Sequence, residues 1–109
     1  MSKSITCLLT THNKESLIER VSMGILENIS ELTKQIIVVF DGCVDNTELI
    51  TKNIFKDFNG KLDYVYTDDV FELKANNAGL KMVESDYVIL VQDDMVIKEK
   101  NFDLRILKP

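Results

Sequence analysis

The sequence predicts an α/β protein with a Rossmann-like, doubly wound and mostly parallel sheet in the strand order 3-2-1-4. Four runs of aliphatic and β-branched residues recur along the 109 residues without alternating with polar residues, as is typical of strands buried on both faces. The segments between these runs carry apolar residues at helical spacing. Because parallel strands are joined by crossovers that usually contain a helix, this alternation favours a parallel sheet.

The first predicted strand runs from Ile5 to Thr10, and an amphipathic helix follows it. Asn13 comes directly after the strand and belongs to the residue types that favour the N-cap position. We therefore expect Asn13 to cap the first helix. The apolar face of this helix consists of Leu17, Ile18, Val21, Ile25 and Ile29.

The second strand, Gln35 to Phe40, is followed by a helix with a start similar to a capping box. Asp45 precedes Glu48 by three residues, the spacing at which the two side chains can satisfy the first backbone N–H groups. We expect Asp45 to act as a cap rather than as a ligand. The apolar face of this second helix consists of Ile50, Ile54 and Phe58.

The third strand, Leu62 to Thr67, leads to a third helix, which we predict from about Leu73 to Glu84. Its apolar face contains the small residues Ala75 and Gly79, which allow close approach to a sheet. The fourth strand runs from Tyr87 to Gln92 and completes the alternation. One domain with one core is expected for a chain of this length.

Composition excludes several classes of function. The formal net charge is −5 and no segment gathers Lys or Arg, so we expect no nucleic-acid partner. The longest apolar stretches, "IIVVF" and "YVILV", are far shorter than a membrane span, so no membrane segment is expected in this chain. Cys7 and Cys43 belong to no metal-binding pattern, and reduced thiols in a cytoplasmic setting are expected.

Acidic residues follow the fourth strand at the place where a ligand is expected. In doubly wound sheets ligands bind beyond the carboxyl ends of the strands, where the strand order reverses, and "TTHN" and "QDDM" leave strands one and four there. Asp93 and Asp94 are adjacent like charges, which need screening by water or a shared cation. The residues alone leave both interpretations open, a solvated turn or a site for Mg²⁺ or Mn²⁺.

Other polar residues at strand ends are weaker candidates. Asp41 ends the second strand, where an acid is usually a turn residue. His12 is the one histidine of the chain. A lone histidine after a strand is more often a surface or locally hydrogen-bonded residue than a ligand, but the predicted position in the crevice strengthens the case for a binding role. Asp68 and Asp69 follow strand three, far from the reversal point in this strand order, so we expect them to lie in a solvated loop.

Three segments in order resemble the amino-terminal, nucleotide-sugar-binding portion of a family 2 glycosyltransferase with the GT-A fold. They are "ITCLLTTHNKESL", "IIVVFDGCVDNT" and "LKANNAGLKMVESDYVILVQDDM", and the resemblance covers about residues 4 to 102. It implies that residues 1–109 form a single nucleotide-binding domain that corresponds to half of a GT-A fold. The donor is expected to be a nucleotide sugar, with a UDP-sugar favoured.

The resemblance also implies roles for residues around the nucleobase. Thr11, His12 and Asn13 correspond to the turn that lines the base site. His12 occupies the position where the family commonly has an aromatic residue that stacks on the base. Asp41 corresponds to an acid that accepts hydrogen bonds from the base.

Near the expected diphosphate site, this sequence departs from the family pattern. Asp94 matches the metal-binding carboxylate of the D-x-D motif, while Gln92 replaces its first acid and is expected to contact the ribose. Asp93 is then the second acid available. Asn77 is expected near the ribose and diphosphate. Asn76 stands where relatives often carry an arginine, and Lys74 is expected to compensate partly for the missing cation.

The function implied is a metal-dependent, inverting transfer of a sugar from a nucleotide-diphosphate donor to a hydroxyl acceptor. Relatives continue into an acceptor-binding half, so we expect the chain to be truncated before that half, with the general base beyond Pro109 and with no activity alone. The uncovered edge of strand four suggests a homo-oligomer. A non-catalytic nucleotide- or metal-binding module remains the alternative, whereas a phosphoacceptor receiver domain would need its acid pair after strand one.

Overall fold

The computed structural model describes residues 3–107. Strands and helices alternate from the start of the chain, and a short 3-10 helix follows the last strand. The elements are β1 (Ile5–Thr11), α1 (Ile18–Asn28), β2 (Thr33–Asp41), α2 (Thr47–Phe55), β3 (Lys61–Thr67), α3 (Phe71–Leu80), β4 (Tyr87–Gln92) and the 3-10 helix Phe102–Leu107. All four predicted strands and all three predicted helices are therefore confirmed.

The sheet is parallel throughout, with the order β3-β2-β1-β4 that the sequence predicts. Its register places Thr10 beside Gln92 of β4 and Thr11 beside Phe40 of β2. The carboxyl ends of β1, β2 and β4 therefore lie next to one another. This arrangement confirms that the ends of strands one and four meet at the reversal point.

Helices cover both faces of the sheet. Side chains of α1 and α2 pack with one set of strand residues, which includes Cys7, Leu9, Ile36, Val38 and Phe40. The intervening strand residues Leu8, Ile37 and Val39 pack against Ala75 of α3 on the opposite face. Successive residues of a strand point to opposite faces, so the two central strands are apolar on both sides.

Burial on both faces holds for β1 and β2 but not for the outer strands. β3 and β4 form the two edges of the sheet and are largely half-exposed, and Leu90 of β4 is 49% exposed. The apolar runs of the outer strands therefore predict the secondary structure correctly but predict more burial than the structure shows. No helix of residues 3–107 has the length and apolar character needed to cross a bilayer.

The start of α1 differs from the prediction for a local reason. The N-cap of α1 is Leu17 without a side-chain cap, because the N–H groups of Leu17 and Ile18 both donate to Lys14 O in a preceding turn. Asn13 adopts a φ of 46° and its Oδ1 accepts from Val44 N (2.8 Å), so it joins two loops instead of capping the helix.

The third helix is shorter at its carboxyl end than predicted. It ends at Leu80, because Met82 N and Val83 N donate to Gly79 O and Leu80 O in a tight turn. Within the helix, Gly79 lies directly on the sheet. A Cβ at this position would lie 2.5 Å from Leu8 Cδ1 and 2.7 Å from Val39 Cγ2, so the close approach of α3 requires glycine.

The 3-10 helix is attached to the amino end of the sheet by a buried carboxylate. Asp103 is fully buried, and its oxygens accept from Ser30 N (2.9 and 3.0 Å), Ser30 Oγ (2.9 Å) and Thr33 Oγ1 (2.5 Å). Thr33 is the first residue of β2. The segment after β4 thus returns from the carboxyl end of the sheet to its amino end.

Candidate functional site

A cavity of about 430 Å³ lies at the carboxyl ends of β1, β2 and β4. Its volume is within the usual range for small-molecule sites. Six of the predicted site residues line it, together with five others. The lining consists of Thr10, Thr11, His12, Lys14, Asp41, Asp69, Phe71, Glu72, Gln92, Asp93 and Asp94.

His12 follows β1 and connects the ends of the two neighbouring strands. Its backbone N–H donates to Asp93 Oδ2 at 3.0 Å, beyond β4. Its ring Nδ1 is within hydrogen-bond distance of Asp41 O at the end of β2. Because a carbonyl oxygen only accepts, Nδ1 carries the proton in this contact, and Nε2 lies 3.5 Å from Asn13 Nδ2.

Asp41 is a buried carboxylate that holds the chain after β3. It is 3% exposed, and Oδ1 accepts from Thr67 Oγ1 (2.7 Å) and Val70 N (2.8 Å) while Oδ2 accepts from Phe71 N (3.0 Å). Burial raises the pKa of the Asp41 carboxyl, but the hydrogen bonds outweigh this effect and the pKa lies below its ordinary value. The carboxylate is therefore ionised at neutral pH.

The wall segment, which we define as residues 68–71, lies against the end of β2. Asp69 and Phe71 in this segment have φ values of 53° and 70°, in a region that bulky residues rarely adopt. Gly42 has a φ of 62°, and a Cβ there would lie 2.9 Å from both Cβ and N of Asp69. Glycine at this position allows the wall segment to pack directly on the turn after β2.

Asp69 is exposed in a loop, as expected, but this loop does not lie far from the reversal point. Its side chain lines the cavity, and Oδ1 lies 3.8 Å from His12 Nδ1. The reason is the contact with Asp41, which draws the chain after β3 back over the end of β2. The pair Asp41–Gly42 is the part of the sequence that could have indicated this close approach.

Thr11 contributes a polar atom without a partner. The residue is 1% exposed, and its Oγ1 has no hydrogen-bond partner within residues 3–107. A buried hydroxyl left without a partner costs about 1–3 kcal/mol. Thr11 lines the cavity, but its hydroxyl oxygen is buried and is not an open hydrogen-bonding position.

Among the groups that line the cavity, the acid pair after β4, Asp93 and Asp94, is the best suited to bind a divalent cation. Asp94 is exposed, and its carboxylate accepts no hydrogen bond from residues 3–107, whereas Asp93 uses one oxygen for His12 N. Mg²⁺ and Mn²⁺ prefer such oxygen ligands and commonly keep waters and phosphate oxygens as further ligands. The free carboxylate of Asp94 and the free oxygen of Asp93 suit that coordination.

A second group of potential ligands is less suitable. Single ligand atoms of His12, Asp41 and Asp69 lie within 4.8 Å of one another. However, the Asp41 carboxylate already accepts three hydrogen bonds and the His12 Nδ1 contacts a carbonyl. A cation there would have to displace these contacts.

Three predicted site residues lie outside the lining of the cavity. Asn13 bonds to the loop after β2, and Lys74 and Asn77 are exposed on α3. Their assignments stay predictions from the resemblance. Among the lining residues the positive side chain is that of Lys14. Its backbone N–H donates to Thr47 Oγ1 (2.8 Å). Lys14 was not predicted from the sequence, because a single lysine in a loop carries no pattern that indicates a binding site.

Solved structures of glycosyltransferases have the same fold. S. aureus TarS 1-349 in complex with UDP-GlcNAc is 23% identical, with a TM-score of 0.77, 95% of this chain covered and 30% of that one. The mannosyltransferase PcManGT from Pyrobaculum calidifontis, in complex with GDP-Man and Mn²⁺, is 19% identical, with a TM-score of 0.75 and coverages of 86% and 28%.

A third solved structure is similar to this chain to about the same extent. Glucosyl-3-phosphoglycerate synthase from Mycobacterium tuberculosis, in complex with Mn²⁺, UDP and glucosyl-3-phosphoglycerate, is 20% identical, with a TM-score of 0.70 and coverages of 89% and 36%. The chain thus spans about a third of the length of these proteins. At such identities the likeness shows a shared GT-A-like fold.

Comparison of the sequence itself identifies the family. No curated protein matches the chain significantly. Residues 6–108 match the profile of the family described as Glycosyl transferase family 2, and this match includes the strand ends that form the cavity. The chain therefore belongs to glycosyltransferase family 2.

Proposed function

We propose that the described chain binds a nucleotide-sugar donor and serves a metal-dependent, inverting transfer of the sugar to a hydroxyl acceptor. The observation that carries this proposal is the convergence of two strand ends on one cavity. The register of Thr10 with Gln92 brings the residue suited to a base, His12, into the same cavity as the acid suited to a cation, Asp94. A nucleoside diphosphate with its metal needs both.

The base is held at the ends of β1 and β2. The Nε2 of His12, which has one long contact with Asn13 Nδ2 (3.5 Å), offers a hydrogen-bonding position, and the His12 ring offers a stacking surface. A carboxylate has about four lone-pair positions, of which three are used in Asp41. One acceptor position therefore remains on Asp41 for an N–H of the base.

The diphosphate is held at the end of β4. Asp94, with the free oxygen of Asp93, would hold Mg²⁺ or Mn²⁺, which when bound acts as a Lewis acid for the charge that develops on the departing diphosphate. The lining also contains Asp69 and Glu72, so a diphosphate without a cation would meet mostly negative charge. Lys14 supplies the positive side chain of the lining. Mn²⁺ in two of the similar structures supports the use of a divalent ion.

The nature of the donor is supported by ligands of the similar proteins. UDP-GlcNAc is bound in the TarS structure and GDP-Man in the PcManGT structure, so both UDP and GDP are suitable probes. Inversion, the hydroxyl acceptor and a general base outside residues 3–107 follow from the family resemblance. A module that binds the donor without turnover is the alternative, and slow hydrolysis of a donor by the chain would distinguish the enzyme from it.

Isothermal calorimetry with UDP and GDP, with and without Mn²⁺, tests the proposal. We expect the parent chain to bind one of them only when Mn²⁺ is present, and Asp94→Asn to lose most of that binding. Asp93→Asn should have the smaller effect, because Asp93 already uses one oxygen for His12 N, whereas both oxygens of Asp94 are available to the cation. Asp57→Asn, an exposed acid near the amino end of β3, is the matched control and should bind like the parent.

Two results would contradict the assignment of the metal. One is equal binding of the nucleotide by the parent with and without Mn²⁺. The other is an Asp94→Asn variant with the affinity of the parent. Thermal unfolding of each variant serves as the check on folding, since an exposed acid contributes little to the core.

A further inference from the structure

Phe71 combines an exposed aromatic side chain with a strained backbone conformation. Its side chain is 76% exposed, and its backbone φ is 70°. Exposure forfeits the hydrophobic stabilisation that a buried aromatic ring provides, and a bulky residue at positive φ is strained. Strained residues of this kind cluster at ligand sites, and Phe71 lines the cavity.

The structure holds Phe71 in place through its neighbours. Its N–H donates to Asp41 Oδ2 at 3.0 Å, and the preceding N–H, of Val70, donates to Asp41 Oδ1 at 2.8 Å. The Val70 side chain packs against the core between α3 and the sheet. Val70 therefore anchors the wall segment inward, while the next side chain, Phe71, is left at the cavity.

Asp41 links the Phe71 ring to the His12 ring. The carboxylate of Asp41 binds the backbone of Phe71, and its carbonyl oxygen contacts His12 Nδ1. Both rings line the same cavity. One buried residue thus fixes two aromatic surfaces at the end of β2, where the base is expected.

We propose that Phe71 supplies a stacking surface for the nucleobase, in addition to that of His12. The inference rests on the proposed function, because it needs a nucleotide in the cavity. Stacking on an aromatic ring tolerates any base, since every base has a π face. Phe71 accordingly contributes affinity for the nucleoside part of the donor and not the choice of base.

Leu73 provides a matched control on the same helix. It is 75% exposed but does not line the cavity. Leu73→Ala therefore removes a comparable exposed apolar side chain from α3 without touching the site. Phe71→Leu retains an apolar side chain but removes the ring, and Phe71→Tyr retains the ring.

The experiment measures dissociation constants of UDP, GDP and inorganic pyrophosphate in Mn²⁺ for the parent and these variants. Alanine substitution of a stacking residue typically weakens binding about 5- to 150-fold. We expect Phe71→Ala and Phe71→Leu to lose affinity for the nucleotide in this range and to keep the affinity for pyrophosphate. Phe71→Tyr and Leu73→Ala should stay within about threefold of the parent.

The outcomes separate this inference from the function on which it rests. A parent that binds neither UDP nor GDP refutes both. If the parent binds and Phe71→Ala or Phe71→Leu binds equally well, stacking by Phe71 is refuted while nucleotide binding stands. An equal loss for nucleotide and pyrophosphate would show that Phe71 orders the cavity instead of contacting the base, and would also overturn the inference. The ring is exposed, so the thermal midpoint of Phe71→Ala should match that of the parent.

Discussion

Replacing Asp41 by Ala removes the acceptor of three hydrogen bonds at the end of β2, and we expect this change to destabilise the fold. The hydroxyl of Thr67 can rotate toward another acceptor, but the N–H groups of Val70 and Phe71 are fixed by the backbone. Each donor left without a partner costs about 1–3 kcal/mol. Because water in the cavity can reach Phe71, the lower part of this range applies there, and the free energy of unfolding should fall by about 2–4 kcal/mol.

Asp41→Asn should cost less. The amide keeps one acceptor oxygen for Thr67 and Val70 but turns its NH₂ group toward the N–H of Phe71, so one donor loses its partner. The expected loss is about 1–2 kcal/mol. Asp68→Asn is the control, because this neighbouring acid is exposed and accepts no hydrogen bond from the described part of the chain.

The contribution of Asp41 also depends on pH. Its pKa in the folded state lies below the ordinary value, so the stabilisation is complete above the pKa of the unfolded chain, about 3.9. It is lost as the pH falls through the lower pKa of the folded state. The difference in unfolding free energy between the parent and Asp41→Asn should therefore be constant near neutral pH and shrink below about pH 4.

Urea denaturation followed by circular dichroism, at several pH values, measures these differences. The reasoning would be refuted if Asp41→Ala unfolded within about 0.5 kcal/mol of the parent, the usual spread for neutral surface changes. A difference between parent and Asp41→Asn that grew in acid would refute the linkage argument, because it would mean that the folded state favours the protonated carboxyl.

Two further predictions concern the packing that supports the site. Gly79→Ala should lower the unfolding free energy by up to about 2 kcal/mol, because crowding against Leu8 and Val39 costs about 1–3 kcal/mol and is offset by a gain of about 1 kcal/mol in helix propensity. Asn77→Ala, on the exposed side of α3, should be neutral or stabilising in the same urea titration. Asp103→Ala should cost about 2–4 kcal/mol by leaving the Ser30 and Thr33 donors unpaired. It should also accelerate hydrogen exchange of the Ser30 amide, and unchanged exchange would contradict the assigned contact.

The topology could be predicted from the sequence because each element has a strong local pattern. Four apolar runs separated by amphipathic segments leave few arrangements for a parallel sheet, and the strand order follows the resemblance. The partial exposure of the outer strands could not be predicted from these patterns. A half-exposed edge strand such as β4 has the same apolar run as a central one, and its exposure depends on what lies beside it.

The composition of the cavity was predicted only at the ends of strands β1, β2 and β4, and not after the edge strand β3. His12, Asp41 and Asp94 lie at strand ends, and the register of a parallel sheet brings such residues together. Asp69 and Phe71 reach the cavity because the N–H groups of Val70 and Phe71 donate to Asp41, which lies about thirty residues earlier in the chain. Such long-range contacts leave no periodic signal in a sequence, so the wall segment could be recognised only in the structure.

The buried contact of Asp103 has a practical consequence for coupling the protein to a label or to a surface. Ser4 bonds to Asp86 just before β4, and Asp103 bonds to Ser30 and Thr33 at the start of β2, so both ends of the described chain lie at the amino side of the sheet. The cavity opens at the opposite side. A fluorophore, an affinity handle or a sensor surface joined at either end would therefore leave the mouth of the cavity free for incoming molecules.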